Sequence, residues 1–208
     1  MAWTRKRESE PASHNPEAVV ELLGRRVHVL ELSPNMPAHH GHRLDLPAGT
    51  FVHHALTTPG VWVDLSFVVP RTCIRLDDIK RGMEAAGVRV VPPGATFMYW
   101  TGAEEVWGDP ARCAADYPGL DSEAAAWILD QGVAHVCTDI PASDNPTGPS
   151  YSGHLTHGRG QAIHTELVAN IRRIPRHEGF YAIALPQKLE GAAGITIRMI
   201  ALWEEQGL

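Results

Sequence analysis

Residues 121–140, DSEAAAWILDQGVAHVCTDI, hold a helix, both of its ends and the strand that follows it. Asp121 offers the short side-chain acceptor that a helix N-cap needs, and the helix it opens runs through Asp130. Gly132 stands just past the end, where a residue able to adopt the left-handed conformation lets the chain leave the helix. Val133 to Thr138 then reads as a buried strand that stops at Asp139. A helix handed straight to an apolar strand is the unit from which α/β domains are built.

The same rhythm extends outward from this stretch. Upstream, Ala95 to Trp100 is a strand. Asp77 and Asp78 open a helix through Ala86, where their charge suits the helix dipole, and Gly87 closes it. Val61 to Ser66 is a short apolar strand. Downstream, the pattern predicts a helix over 164–171, a strand over 180–185 and a last strand over 195–202. Nearer the N-terminus, Val27 to Leu32 is a strand, and Pro16 to Leu23 reads as a short amphipathic helix opened by Asn15 and closed by Gly24. Between Ser33 and Gly60 the periodicity fails in a segment rich in Pro, His and Gly, read as loops with a short strand. A loop of that length is functional or conceals an element. Residues 1–16 read as a flexible polar N-terminal tail and 17–208 as a single α/β domain, with no internal repeat and no second core.

Composition narrows the function. A net charge of −6 over 208 residues argues against nucleic acid as a partner, since such binders carry a basic face. The one basic run, Arg5-Lys6-Arg7, belongs to the tail. No stretch approaches the ~20 apolar residues that span a bilayer. The N-terminal charges have no apolar run behind them, so a signal peptide is not expected. Cys73, Cys113 and Cys137 are widely spaced and show no CxxC pairing, which predicts reduced thiols and a cytoplasmic location. The compositional oddity is the twelve histidines, several of them clustered.

Several segments occur in a telling order. They are Tyr99-Trp100-Thr101-Gly102, Trp107-Gly108-Asp109, Tyr117 to Ala125, and Gly132-Val133 to Asp139-Ile140-Pro141-Ala142-Ser143-Asp144. His154 and Glu166 follow twelve residues apart, then Glu166 to Ile171, Phe180 to Pro186 and Gly194 to Ala201. Together they resemble the cyclase and kynurenine-formamidase-like metal-dependent hydrolases. The resemblance implies a swivelling β/β/α fold, a homodimer or homotetramer, and zinc or manganese held by His, Asp and Glu. It also implies a small-molecule substrate: a cyclic or formylated amide, or a lactone, opened by metal-activated water. His154 and Glu166 match the two metal ligands of the family's C-terminal half. Imidazole and carboxylate suit those ions, which lower the pKa of water.

The family's other ligands belong to a motif H-x-G-T-H-x-D-x-P-x-H. In one register it falls on His39 to Gly49. His39 and Asp45 are then metal ligands, Arg43 replaces a ligand and Gly49 replaces the acid/base histidine. Arginine stays protonated and has no lone pair to give a metal. In a second register, Leu30 to His42 resembles the family's earlier segment "D-L-S … M-P-x-x-P-G-H", and the motif itself is missing. Under the first register His40 and His42 are neighbours able to replace the lost ligand. His53 or His54 takes the acid/base role, one of the two facing the site because adjacent strand side chains point oppositely. Arg43 can hold a substrate carboxylate in bidentate fashion. Asp139 and Asp144 read as caps of a tight turn, His135 as structural, and Trp62, Trp100, Trp127 and Trp203 as core or interface aromatics. His157 and His164 receive no role. Two further functions fit the altered motif: a metal-independent cyclase, dehydratase or isomerase of natural-product biosynthesis, and a non-catalytic binding relative.

Overall fold

The stretch from Asp121 to Ile140 folds as its sequence predicts. Asp121 Oδ1 accepts the Ala124 N–H at 2.8 Å, the helix spans Ser122–Asp130, and Gly132 leaves it at φ 75° before the strand His135–Thr138. The structure, a computed structural model, describes residues 17–22, 25–32, 41–42, 57–148, 151–160, 162–186 and 194–204, with backbone alone at 21–22 and 41–42. Among them the strands are β1 (Glu17–Leu22), β2 (Arg25–Glu31), β3 (Gly41–His42), β4 (Thr57–Asp64), β5 (Cys73–Ile74), β6 (Thr96–Trp100), β7 (Gly119–Leu120), β8 (His135–Thr138), β9 (Ile163–Thr165), β10 (Phe180–Pro186), β11 (Gly194–Ile195) and β12 (Ile197–Glu204). The helices are α1 (Leu76–Ala86), α2 (Pro110–Ala115), α3 (Ser122–Asp130) and α4 (Ser152–Arg159).

Two local readings are corrected. Residues 17–22 form a strand rather than a helix, because β1 pairs antiparallel with β2 across its whole length. A run of six residues is too short for a decisive period, and its partner settles it. Residues 163–165 form β9 and the chain after it is irregular, where a helix over 164–171 was expected. A helix does lie nearby, at α4. Its sequence SGHLTHGR carries two glycines and little apolar periodicity, so nothing local announces it.

Strands β4, β6, β8 and β9 are parallel, and β10, β12, β2 and β1 extend the sheet antiparallel from β4. The sheet coils on itself. Four strand spacings separate β12 from β8, roughly 19 Å in a flat sheet, yet Cys137 Sγ lies 3.9 Å from Met199 Sδ. At the other edge β11 pairs with β3, and only Thr196 separates β11 from β12. The strands therefore close into a barrel filled by Trp62, Met98, Trp100, Cys137, Phe180 and Met199, among others. Alternate residues of the parallel strands, Val61, Val63, Phe97, Tyr99 and Val136, face outward onto α1 and α3 and form a second core with Ile79, Met83, Ala124 and Ile128. Being buried on both faces explains why these strands read as unbroken apolar runs. The result is one α/β domain built on a large mixed sheet. Among the described residues no helix is long and apolar enough to cross a membrane.

Candidate metal centre

The centre forms where the chain leaves β8. Asp139, fully buried, accepts the Thr101 N–H at 2.8 Å, the Thr101 hydroxyl at 2.9 Å and the Glu104 N–H at 3.2 Å. It ties the end of β8 to the end of β6, and burial pushes its carboxyl up to about 6. The loop that follows is gripped from two sides. On one side the Leu120 N–H donates to the Ser143 carbonyl at 2.8 Å, and a Cβ on Gly119 would lie 2.0 Å from the Asn145 nitrogen. On the other, a Cβ on Gly153 would lie 2.8 Å from the Ser143 oxygen. Both glycines are required by these close approaches, and the Pro-Gly-Leu segment thereby acquires a physical role.

Held this way, the loop aims two groups. Asp144 Oδ1 accepts the N–H groups of Gly153 at 2.7 Å and His154 at 3.3 Å, capping α4 from a distance. Asp144 Oδ2 bonds to His154 Nδ1. With Nδ1 committed, His154 presents Nε2 to Glu166 Oε1 at 3.5 Å, and His164 Nε2 faces the same oxygen at 3.4 Å. The Ser143 N–H donates to that oxygen at 2.9 Å. Leu167, immediately after Glu166, has φ 54°. That left-handed conformation is strained for a bulky residue and turns the chain sharply just after Glu166. The Leu167 N–H donates to the Ile140 carbonyl at 3.0 Å, which holds it there.

His154, His164 and Glu166 place ligand atoms within 4.8 Å of one another. Ligands ~2.1 Å from a tetrahedrally held ion stand roughly 3.4 Å apart, the spacing of both imidazole nitrogens from Glu166 Oε1. The donor set, two imidazoles and a carboxylate with a second carboxylate behind one imidazole, suits zinc or manganese. Glu166 is 3% exposed, and buried carboxylates are held by hydrogen bonds, paired charges or a metal. The residues present fit a divalent metal.

The electrostatics follow from the packing. The hydrogen bond to Asp144 raises the His154 pKa, against burial, which lowers it. Burial pushes Asp144 up, but bonds from the His154 ring and from the His154 and Gly153 N–H groups outweigh it and hold the carboxyl below its usual range. Burial drives His135, His157 and His164 down to about 3, with neighbouring imidazoles adding to the effect. These three rings are neutral at physiological pH. His135 lies on the barrel side, bonded to Thr165 Oγ1 at 2.7 Å, and is structural as its sequence context suggested. Trp62, Trp100 and Trp203 are buried in the barrel core.

Of the residues singled out in the sequence, His154 and Glu166 meet at this centre. His39, His40, Arg43, Asp45, Gly49, His53 and His54 lie outside the described residues, and at His42 only the backbone is described. That backbone is informative: β3 pairs with β9, His42 opposite His164 and Gly41 opposite Thr165. The segment bearing the altered motif thus joins the sheet beside the centre. Sequence reasoning missed His164, and it read Asp144 only as a turn cap. The spacing of His164 and Glu166, two apart, puts both on one face of an extended chain. That signal was hidden by reading the segment as a helix.

The comparisons with known proteins agree with this architecture. Residues 7–145 match the model of the Cyclase family, described as "Putative cyclase". The matched span ends one residue past Asp144, so His154, His164 and Glu166 lie beyond it. Isatin hydrolase A from Ralstonia solanacearum is similar in structure, with a TM-score of 0.71 at 19% identity over 93% of this chain and 90% of that one. Isatin hydrolase A from Labrenzia aggregata, bound to benzyl benzoate, gives 0.70 at 19% identity over 95% and 88%. A potential metal-dependent hydrolase with cyclase activity gives 0.61 at 16% identity over 91% and 88%. No curated protein matches the sequence. At these identities the likeness establishes the fold and leaves the chemistry to the residues of the centre.

Proposed function

Because the chain belongs to the Cyclase family, we propose that it is a metal-dependent hydrolase of a small cyclic or formylated amide or of a lactone. The observation that carries this reading is the meeting of half-buried His154 with buried His164 and Glu166, their ligand atoms within 4.8 Å of one another. The isatin hydrolases of the same fold are what favours an amide substrate. His154, His164 and Glu166 would hold zinc or manganese, with His39 and Asp45 as further ligands from the segment that β3 joins to β9. Bound there, such an ion would supply Lewis acidity, making water a nucleophile at neutral pH and polarising a carbonyl.

The protein's own groups do the rest. Asp144 fixes the ring of His154 by holding Nδ1, and the Ser143 N–H fixes one oxygen of Glu166. Arg43, the residue after β3, takes a substrate carboxylate in bidentate fashion. His53 or His54 moves the proton, since an imidazole titrates near neutral pH. Self-association as a homodimer or homotetramer belongs to the same reading. The exposed Tyr181 and Leu185 on β10 support it, and sedimentation would measure it.

Metal content per chain tests the proposal, on protein purified without chelators or a histidine tag. About one zinc or manganese ion is expected in the wild type. His154→Ala, His164→Ala and Glu166→Ala should each lose it. A wild type that stays metal-free after soaking with both ions would sink the hydrolase reading. It would leave the second reading, metal-free acid/base chemistry as in a cyclase or isomerase, which the Asp144–His154 pair and its raised histidine pKa favour.

A further inference from the structure

His157 stands out among the described residues. It is fully buried, and neither of its ring nitrogens has a hydrogen-bond partner among the described residues. A neutral imidazole has one donor and one acceptor, and leaving both unmade in an interior is costly. Leucine or methionine would fill the same space without that cost. An unmet buried polar group in a native fold therefore asks for a reason.

Its position supplies one. His157 lies one turn after His154 on α4, so both rings project from the same side of the helix. There they meet His164: the His154 and His164 rings are 4.8 Å apart and edge-on, and the His157 and His164 rings are 5.1 Å apart at 39°. Two imidazoles joined by an N–H···N bond of ~2.9 Å have ring centres roughly 5 Å apart. The separation is thus already that of a bonded pair. Only the ring orientations differ, and the last side-chain torsion of histidine has broad minima. His164 turns Nε2 toward Glu166, so a metal taken there by Nε2 requires the proton to sit on Nδ1.

We propose that His157 is a positioning residue, accepting the Nδ1–H of His164 and so fixing the tautomer and tilt in which His164 binds the metal. This rests on the metal reading above, and it gives His164 what Asp144 gives His154. A ligating histidine normally donates its second nitrogen to such a partner. Here the two partners differ in charge: a carboxylate backs one imidazole and a neutral imidazole backs the other.

The test compares metal-free wild type, His157→Gln and His157→Leu, each titrated with Zn2+ against a chromophoric chelator and, separately, with Co2+ while its absorption bands are recorded. The glutamine amide can still accept a proton, so His157→Gln should bind within ~3-fold of wild type with an unchanged cobalt spectrum. His157→Leu should bind about 10–100-fold more weakly, with shifted cobalt bands. Its metal-free form should unfold at the same temperature as wild type or higher. Should His157→Leu fail to fold, His157→Met takes its place. Equal affinity in the leucine variant and the wild type overturns the role of His157 and leaves the metal centre standing. Equal loss in the glutamine and leucine variants overturns it as well, since the hydrogen bond is then not what matters. A wild type that takes up neither ion removes the metal reading and this inference together.

Discussion

Asp139 and Asp144 look alike in the sequence, two carboxylates flanking one turn, and the fold gives them opposite electrostatics. Asp139 is buried among neutral donors, and its pKa is pushed up to about 6 from an ordinary 3.8. The native state therefore holds this proton more tightly than the unfolded chain. As pH rises from about 4 to about 6 the unfolded chain ionises first, and the native state loses stability on the order of 3 kcal/mol. Asp139→Asn has no such proton, so its stability relative to wild type should improve between pH 4.5 and pH 7 in urea unfolding. Asp144 has partners on both oxygens. Asp144→Ala should cost about 0.5–2 kcal/mol through the lost helix cap and weaken metal binding about 10–100-fold by freeing the His154 ring. Thermal unfolding and chelator competition measure the two effects separately. His154 and Glu166 were legible through the family pattern. His164 was not, because its significance lies in an alternation that appears only once residues 163–166 are known to be extended.

Among the elements, those announced by their own ends were readable. Residues 77–86 and 121–130 carry acidic starts and a glycine near their ends, and α1 and α3 form there. The elements that escaped notice are those held by a partner outside their own residues. β1 is a strand because β2 lies beside it, and α4 is a helix because Asp144 caps it and Gly153 lets it approach the Ser143 loop. The same dependence makes β7 a pivot for the centre. Gly119→Ala would drive a methyl group into the backbone of Asp144 and Asn145. A cost of about 1–3 kcal/mol is expected for such overpacking, and metal affinity should fall with it although residue 119 touches no ligand. Gly87→Ala is the control: its Cβ meets open space and only its φ of 70° is strained, so stability alone should change.

On the scale of the whole molecule, the candidate metal centre lies on a seam. The end of β8, α4 and β9 each contribute to it, and among the described residues the barrel closes beyond β9 through the two-residue strands β3 and β11. An ion at one hundred times its Kd adds about 2.7 kcal/mol to stability, which for a domain of this size is an unfolding temperature higher by roughly 5–10 °C. That rise should appear on adding Zn2+ or Mn2+ to the metal-free protein and be absent in His154→Ala. The closure itself had no signature in the sequence. Residues 195–202 read as one strand, whereas Thr196 divides it and sends its halves to different neighbours, and no local pattern links Gly41 to Ile195. The order of the sheet also has a consequence for synthesis. β12 is the last described strand in the chain, yet it inserts between β2 and β10, pairing Ala201 with Leu30 on one side and with Ala182 on the other. Until it leaves the ribosome, the first hairpin and β10 each keep a bare, hydrogen-bonding edge that neighbouring chains can join. A nascent chain of this protein must therefore wait for residues 197–204, and a product cut short before residue 197 would be prone to aggregate.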